Sequence, residues 1–368
     1  QTLSVINNQL TISSGNTVNI DSDTTNELQY VSFINDTLHL TNGNYCVIPI
    51  SQILPSGSCI TTTSKNPPPG YSYSGNYFYS KENPWVAKAN MLQTSQEAKA
   101  VTINGFIYVV NYPNDQITHP LIDVYNPSLN TWSHITDVPT LRRYFSIAAI
   151  NDTIYFIGGA INGTITDLVE SYDISLNSWT TKNPLPNPRT DLGCAVVNNR
   201  IYIFGGRDQS NNYLNSTCEY NPNTNEWVTK ANMPTSRGGI DGAVLNNKIY
   251  VPGGFTSAGS SNLCNEIYDP ILDSWSSCSE GYLNNTRFGY GIVANDQRIF
   301  ILGGGSGNDE IFDTDLNYWS YSNFKTTQSE LGAVILNGYI YAIGGGGGQG
   351  KTNKCQKIQS VYYIHCVN

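Results

Sequence analysis

Charge is scarce in this chain. Only 13% of its 368 residues are Asp, Glu, Lys or Arg, so neutral Asn, Ser, Thr, Gly and Tyr must clothe most of the surface, as suits an extracellular β protein. What charge there is leans acidic, with 19 basic against 28 acidic residues and a formal net charge of −9. A surplus of that sign repels phosphate backbones and anionic lipid heads, which argues against nucleic acid as a partner. No apolar run approaches the roughly 18 residues of a membrane-spanning helix. The opening QTLSVINNQL lacks the charged-then-apolar order of a secretory leader, so export would rely on a leader already removed or on another route. The eight cysteines contain no C-x-x-C pair and no Cys/His cluster, which speaks against zinc and for disulfides formed in an oxidising compartment. Cys46 with Cys59, Cys264 with Cys278, and Cys355 with Cys366 lie close enough to close local hairpins, whereas Cys194 in LGCAVV reads as a buried apolar residue.

An apolar fraction of 39% is nonetheless enough for a substantial core. Its distribution is periodic. TINGFIYVVN (102–111), AINDTIYFIGG (149–159), VVNNRIYIFGG (196–206), VLNNKIYVPGG (244–254), VANDQRIFILGG (293–304) and ILNGYIYAIGG (335–345) recur at a period near 48 residues. Each reads as two strands joined by Asn-Gly, Asn-Asp or Asn-Asn, residues that tolerate the positive φ of a two-residue hairpin turn. Between the copies stand VYNPSLNTW (124–132), SYDISLNSW (171–179), EYNPNTNEW (219–227), IYDPILDSW (267–275) and IFDTDLNYW (311–319), each an aromatic strand, a turn and a strand carrying Trp. The repeating unit is therefore a four-stranded sheet.

A four-stranded unit with a glycine pair after its second strand and a Trp on its fourth resembles the kelch repeat over residues 85–368. The resemblance implies an all-β fold, a six-bladed β-propeller in which each sheet buries its faces against its neighbours. Residues 102–111 depart from the pattern, with Val110-Asn111 where the doublet belongs. The last unit lacks a fourth strand, and NYFYSKENPW (76–85) is expected to supply it, so that segments from both ends of the chain close the ring.

Before the propeller, LSVINNQLTISSGNTVNI (3–20) and VSFINDTLHLTNGNYCVI (31–48) superpose at an offset of 28 residues. This small β-repeat segment resembles the shaft segments of viral fibres and trimeric adhesins, which implies a possible homotrimer; a small hairpin domain is the plainer alternative. The expected division is residues 1–64 for the β-repeat, 65–75 for a Pro/Gly-rich linker around KNPPPG, and 76–368 for the propeller.

Sixteen residues before each doublet stand Arg142, Arg189, Arg237 and Arg287, with Gln328 and Ser95 at the equivalent places in the remaining two units. Preceding the innermost strands, they are expected around the mouth of the central channel, with Tyr144, Phe288 and Tyr290 nearby to stack on a ligand. Four guanidiniums there suit carboxylates or sulfates, and in some kelch proteins arginines at this position grip acidic peptides. The alternative is that each Arg bonds backbone carbonyls of its own sheet. Long loops such as GGRDQSNNYLNST (205–217) belong on the same face, where binding is usually carried. The sequons at Asn35, Asn151, Asn162, Asn215 and Asn284 fit a glycosylated surface.

Two motifs argue for other chemistry. Gly345 to Thr352 matches the phosphate-loop pattern, but that loop needs a following helix, and NKCQKIQSVYYIHCV reads as strand. Copper oxidases of the galactose oxidase type share this kind of propeller, yet His39, His119, His134 and His365 do not converge on one blade position. The expectation is a recognition or attachment module, not an enzyme and without a cofactor, that binds glycan or protein outside the cell. A structural subunit of a coat or fibre is the second reading, and a carbohydrate-active enzyme the third.

Overall fold

In a computed structural model, the described residues are 85–112, 120–256, 262–278, 281–295, 298–305, 307–314, 317–322, 325–346 and 350–359, together with eight short strands before them. The chain divides into two compact units, Trp85–Gln359 and Gln1–Pro84 with Ser360–Asn368. The propeller thus begins at residue 85 rather than 76. Part of the expected linker is strand, since Tyr71–Ser74 pairs antiparallel with Tyr77–Ser80.

The propeller is six four-stranded antiparallel sheets. Their innermost strands are Ala98–Ile103, Ser146–Ile150, Gly193–Val197, Ala243–Leu245, Gly291–Ala294 and Gly332–Leu336. Each touches the next, and the last touches the first, which closes the ring. Strands two, three and four follow outward in chain order in blades one to five. In blade six the fourth strand is Val86–Ala87, pairing with Lys357 and Gln356 of Cys355–Gln359. Closure by chain from both ends is therefore as expected, but 77–80, spent on its own hairpin, is not the closing strand.

The local reasons are legible in the turns. At Asn104-Gly105, Asn198-Asn199, Asn246-Asn247 and Asn337-Gly338 both central residues have positive φ, between 50° and 80°, the geometry that matches the strands' twist. Second strands such as Arg200–Phe204 are buried along nearly their whole length, while fourth strands such as Glu226–Lys230 are mostly exposed. The apolar core lies between blades. Ile107, Val109 and Tyr125 of blade one pack with Val334, Tyr341 and Ile343 of blade six, so the closing seam is as apolar as the others.

A polar latch repeats outside that core. The Tyr125 hydroxyl donates to Asn130 at 2.6 Å, the Ala89 N–H donates to the same oxygen, and the Trp132 indole donates to the Ala89 carbonyl at 2.7 Å. Tyr220, Asn225, Trp227 and Asn183 repeat it, as do Tyr268, Asp273, Trp275 and Ala231. In blades one, three and four the repeated Trp therefore ties its blade to the backbone of the preceding one, whereas the indole N–H groups of Trp179 and Trp319 make no such bond.

One disulfide, Cys264–Cys278, joins two of the cysteines expected to pair. Cys355 is a buried thiol, and its expected partner Cys366 lies outside the described residues, as do Cys46 and Cys59. Cys194 is buried, as read from its apolar setting.

The segment matching the phosphate loop is part of the sheet system. Gly346 pairs with Ser329, Thr352 pairs with Ser95, and a strand follows at Cys355–Gln359 where a phosphate site needs a helix. Before the propeller, Leu3–Ile6 and Gln9–Ile12 form one hairpin and Tyr30–Ile34 and Thr37–Thr41 another, at the offset of the sequence repeat.

Asp309, in blade five, is fully buried and accepts from the Gly303 N–H and the Thr326 hydroxyl, each at 2.7 Å. Burial pushes its carboxyl up to about 6, against the pull of those donors and of Arg287. Folding therefore takes up a proton over the range between the ordinary carboxylate value and that one, so stability falls as pH rises through it and is level above. Asp309→Asn removes this slope. In thermal melts the variant should gain on the parent between about pH 4 and 7 and keep a constant lead beyond; parallel curves would refute the assignment.

Candidate functional site

The four arginines expected at the mouth are buried inside their own blades. Each Nη1 donates to the carbonyl of the first doublet glycine: Arg142 to Gly158 at 3.3 Å, Arg189 to Gly205 at 3.1 Å, Arg237 to Gly253 at 2.9 Å and Arg287 to Gly303 at 2.7 Å. Three also pair with a buried carboxylate on the third strand. Arg142 bonds Glu170, Arg237 bonds Glu266 at 3.0 Å, and Arg287 bonds Glu310 at 2.9 Å. Arg189 has no such partner, because Cys218 occupies that register. The backbone explains the inward turn: the positive φ of the doublet carries its carbonyls out of the sheet ladder, and a buried carbonyl needs a donor. The second glycine then donates across the blade boundary, as from Gly206 to the Arg237 carbonyl at 2.9 Å. These arginines serve the sheets, and the expectation that they line a ligand site is corrected.

The mouth is formed two residues further on, by Glu97, Tyr144, Asp191, Gly239, Gly289 and Glu330. All but Glu97 have positive φ, from 54° to 65°. That conformation aims each N–H at the carbonyl of the preceding blade's equivalent residue. Asp191 donates to Tyr144, Gly239 to Asp191, Gly289 to Gly239 and Glu330 to Gly289, over 2.5 to 3.1 Å. The belt is completed at blade one, where Ala98 donates to the Glu330 carbonyl and the Glu97 carboxylate accepts from the Tyr144 N–H at 3.1 Å.

Inside this belt lies a cavity of about 280 Å³. Its polar lining includes Glu97, Asp191, Asp241 and Glu330 with Lys99, Arg143 is bound at its edge, and Arg207 lies beside Asp191. Arg143 holds Glu97 at 2.6 Å, Arg207 holds Asp191 at 3.0 Å, and Lys99 stands 3.6 Å from Asp241. Burial raises the Asp191 carboxyl, with Arg207 opposing, and raises that of Glu330, where Glu97 adds to the effect. The aromatic lining is Tyr112, Tyr144, Phe145, Tyr213, Phe255, Phe288 and Tyr290. The Arg143 guanidinium lies 4.7 Å from the Tyr112 ring centre and 5.2 Å from that of Tyr144, and the Phe255 and Phe288 ring centres lie 4.1 Å apart with their planes tilted by 34°.

Of the other residues expected at the site, Tyr144 is at the rim and 40% exposed. Tyr290 lines the cavity wall with a buried ring whose hydroxyl is bonded to the Pro252 carbonyl. Ser95 is fully buried, its hydroxyl donating to the Glu97 carbonyl at 2.7 Å, and Gln328 accepts from the Gly304 N–H through its backbone. The rim acids were missed by fixing on the arginine register. Asp191, Gly239, Gly289 and Glu330 at a constant spacing after it are the signal in the sequence.

Sequons at Asn151 and Asn162 sit on exposed turns. The Asn215 amide donates to Met233 and that of Asn284 to Trp319, so these two are engaged in the fold; Asn35 lies outside the described residues. His134, on the outer strand of blade one, bonds Asp123 of the third strand and Asp137 of its own, away from the mouth. His119 and His365 lie outside the described residues.

A sequence profile of the KLHDC2/KLHL20/DRC7 Kelch-repeats domain matches residues 145–345. Kelch-like protein 28 of Homo sapiens is 34% identical over 98 residues, and its Mus musculus counterpart 32% over 98. Each match covers 23% of this chain and only 17% of the relative's length. A solved structure titled "Structure of YjhT" superposes with a TM-score of 0.62 at 14% identity, over 73% of this chain and 95% of that one, a likeness of fold.

Proposed function

This chain belongs to the Kelch-repeat family, and from that premise we propose that it is a non-enzymatic recognition module that holds a segment of a partner protein at the channel mouth. The observation that carries the reading is the cavity of about 280 Å³, walled by aromatic rings and carboxylates and mounted on a hydrogen-bonded belt. A rigid belt holds those side chains in place before the ligand arrives, which lowers the ordering cost of binding. Tyr144 and Phe288, 40% and 41% exposed, supply faces on which an incoming group can stack. The Cys264–Cys278 disulfide supports a setting outside the cell.

The same two rings favour a glycan as the second reading, since sugar faces also stack on aromatics. A random-peptide display library and a glycan array, each probed with the full chain, decide between them. The expected result is a set of peptides whose capture is lost in Tyr144→Asn plus Phe288→Ala, with melting unchanged; Asn keeps the positive φ at the rim. Captured ligands indifferent to that pair of changes would refute the mouth as the site. A coat or fibre subunit, trimeric through the repeated N-terminal hairpins, predicts silence in both screens and a native mass three times that of the chain.

A further inference from the structure

We propose that the channel mouth contains a subsite for an arginine side chain of the partner, with its guanidinium on Glu330 and its stem along Phe288 and Phe255; this rests on the protein-binding reading above. The rim is not uniform. At Gly239 and Gly289 it carries no side chain, and the side chains of Phe288, Phe255 and Glu330 stand against those two positions. A Cβ placed on Gly239 would stand 3.5 Å from Phe288 Cβ and 3.7 Å from Phe255 Cδ2, and one on Gly289 would stand 3.2 Å from Glu330 Cγ. The rim at those two glycines is thus bordered by aromatic carbon on one side and by Glu330 on the other, and all three side chains line the cavity.

Charge singles out Glu330. The mouth has four carboxylates, and three are each matched by a cation of the chain: Glu97 by Arg143, Asp191 by Arg207 and Asp241 by Lys99. Glu330 takes part in no ion pair among the described residues; burial and the charges of Glu97 and Asp191 raise its carboxyl, with Lys99 and Arg143 opposing from beyond ion-pair distance. A half-buried, surplus carboxylate is stabilised by an incoming cation more than a solvated one is.

The chain also displays the chemistry in finished form at the neighbouring position of the belt. There Arg143 is bonded through Nε and Nη2 to Glu97, at 3.0 and 2.6 Å, and lies over the rings of Tyr112 and Tyr144. Glu330 with Phe288 and Phe255 repeats that set, a carboxylate beside aromatic rings, without the guanidinium. Arginine fits it better than lysine, because a planar fork can stack on a ring while bonding a carboxylate.

The probes are Nα-acetyl-arginine methylamide and its neutral isostere Nα-acetyl-citrulline methylamide, titrated into the full chain and followed by NMR. Arginine is expected to bind about tenfold tighter than citrulline, with shifts centred on 288–289 and 330. Glu330→Gln should abolish the difference, and Phe288→Ala should weaken arginine binding while the fold, read by melting, is kept. Equal binding of the two probes, unchanged arginine binding in Glu330→Gln, or no binding of arginine at about 10 mM would overturn the proposal. Peptides from the display library separate this failure from that of the reading beneath it. Mouth-dependent peptides rich in arginine support the subsite, and mouth-dependent peptides without arginine overturn it while leaving protein recognition intact. An absence of mouth-dependent peptides removes both.

Discussion

Arg237→Met is expected to lose roughly 3–5 kcal/mol of stability in urea unfolding, while the same change at Arg189 loses only about 1–3 kcal/mol. Both guanidiniums are fully buried and both donate to a doublet glycine carbonyl. They differ in what is left behind. Removing Arg237 strands Glu266, itself without exposure, as an uncompensated charge, and also deprives the carbonyls of Val251, Gly253 and Cys264 of a donor. Removing Arg189 deprives the carbonyls of Asn187, Gly205 and Ser216 but strands no charge, because Cys218 stands where the other blades place a carboxylate. It also relieves a buried cation whose Nη2 has no partner and whose charge is disfavoured by burial. Equal losses would show that the ion pair contributes nothing beyond the carbonyl bonds.

Gly205→Ala should cost more than about 3 kcal/mol, and Gly163→Ala about 1–2 kcal/mol, although both glycines have positive φ, 59° and 81°. Backbone strain is common to the two. At Gly205 the added Cβ would also overlap the Arg237 carbonyl oxygen and stand 2.8 Å from Ile240 Cδ1 and 3.0 Å from Met233 Cε. At Gly163, on the tip of a small hairpin, nothing lies within 4 Å. The neighbour at Gly205 is the next blade's backbone, which also receives the Gly206 N–H, so it cannot retreat without opening the blade boundary. Thermal melts of the two variants test the difference, and a loss at Gly205 no larger than at Gly163 would remove the close approach from the account.

The repeat was legible because its parts are local. Asn-Gly and Asn-Asn turns, the doublet, and the Tyr and Trp strands each announce themselves within ten residues or so, and the number of sheets follows from counting them. The closing strand was legible as a need rather than as a place, since two residues, Val86–Ala87, are too few to carry a pattern and the Tyr-rich 77–80 is the better strand by composition. The arginine register was found correctly and its direction was not. A spacing says that four side chains are equivalent, but not whether they face the channel or fold back. The answer lay in Glu170, Glu266 and Glu310, each two residues before the third-strand aromatic Tyr172, Tyr268 or Phe312. An acid that recurs opposite an arginine in a buried sheet announces a pair. The mouth itself depends on positive φ at Tyr144, Asp191 and Glu330, residue types that do not advertise that conformation.

The seam of blade six has a mechanical consequence. Val86 pairs with Lys357 and Ala87 with Gln356, so residues 85 and 359 leave the sheet at the same end of an antiparallel pair. Tension applied between those two points loads the cross-strand bonds one after another, as in peeling, instead of all together in shear. The propeller should therefore yield to small forces by releasing a single short ribbon, while its other five blades remain assembled.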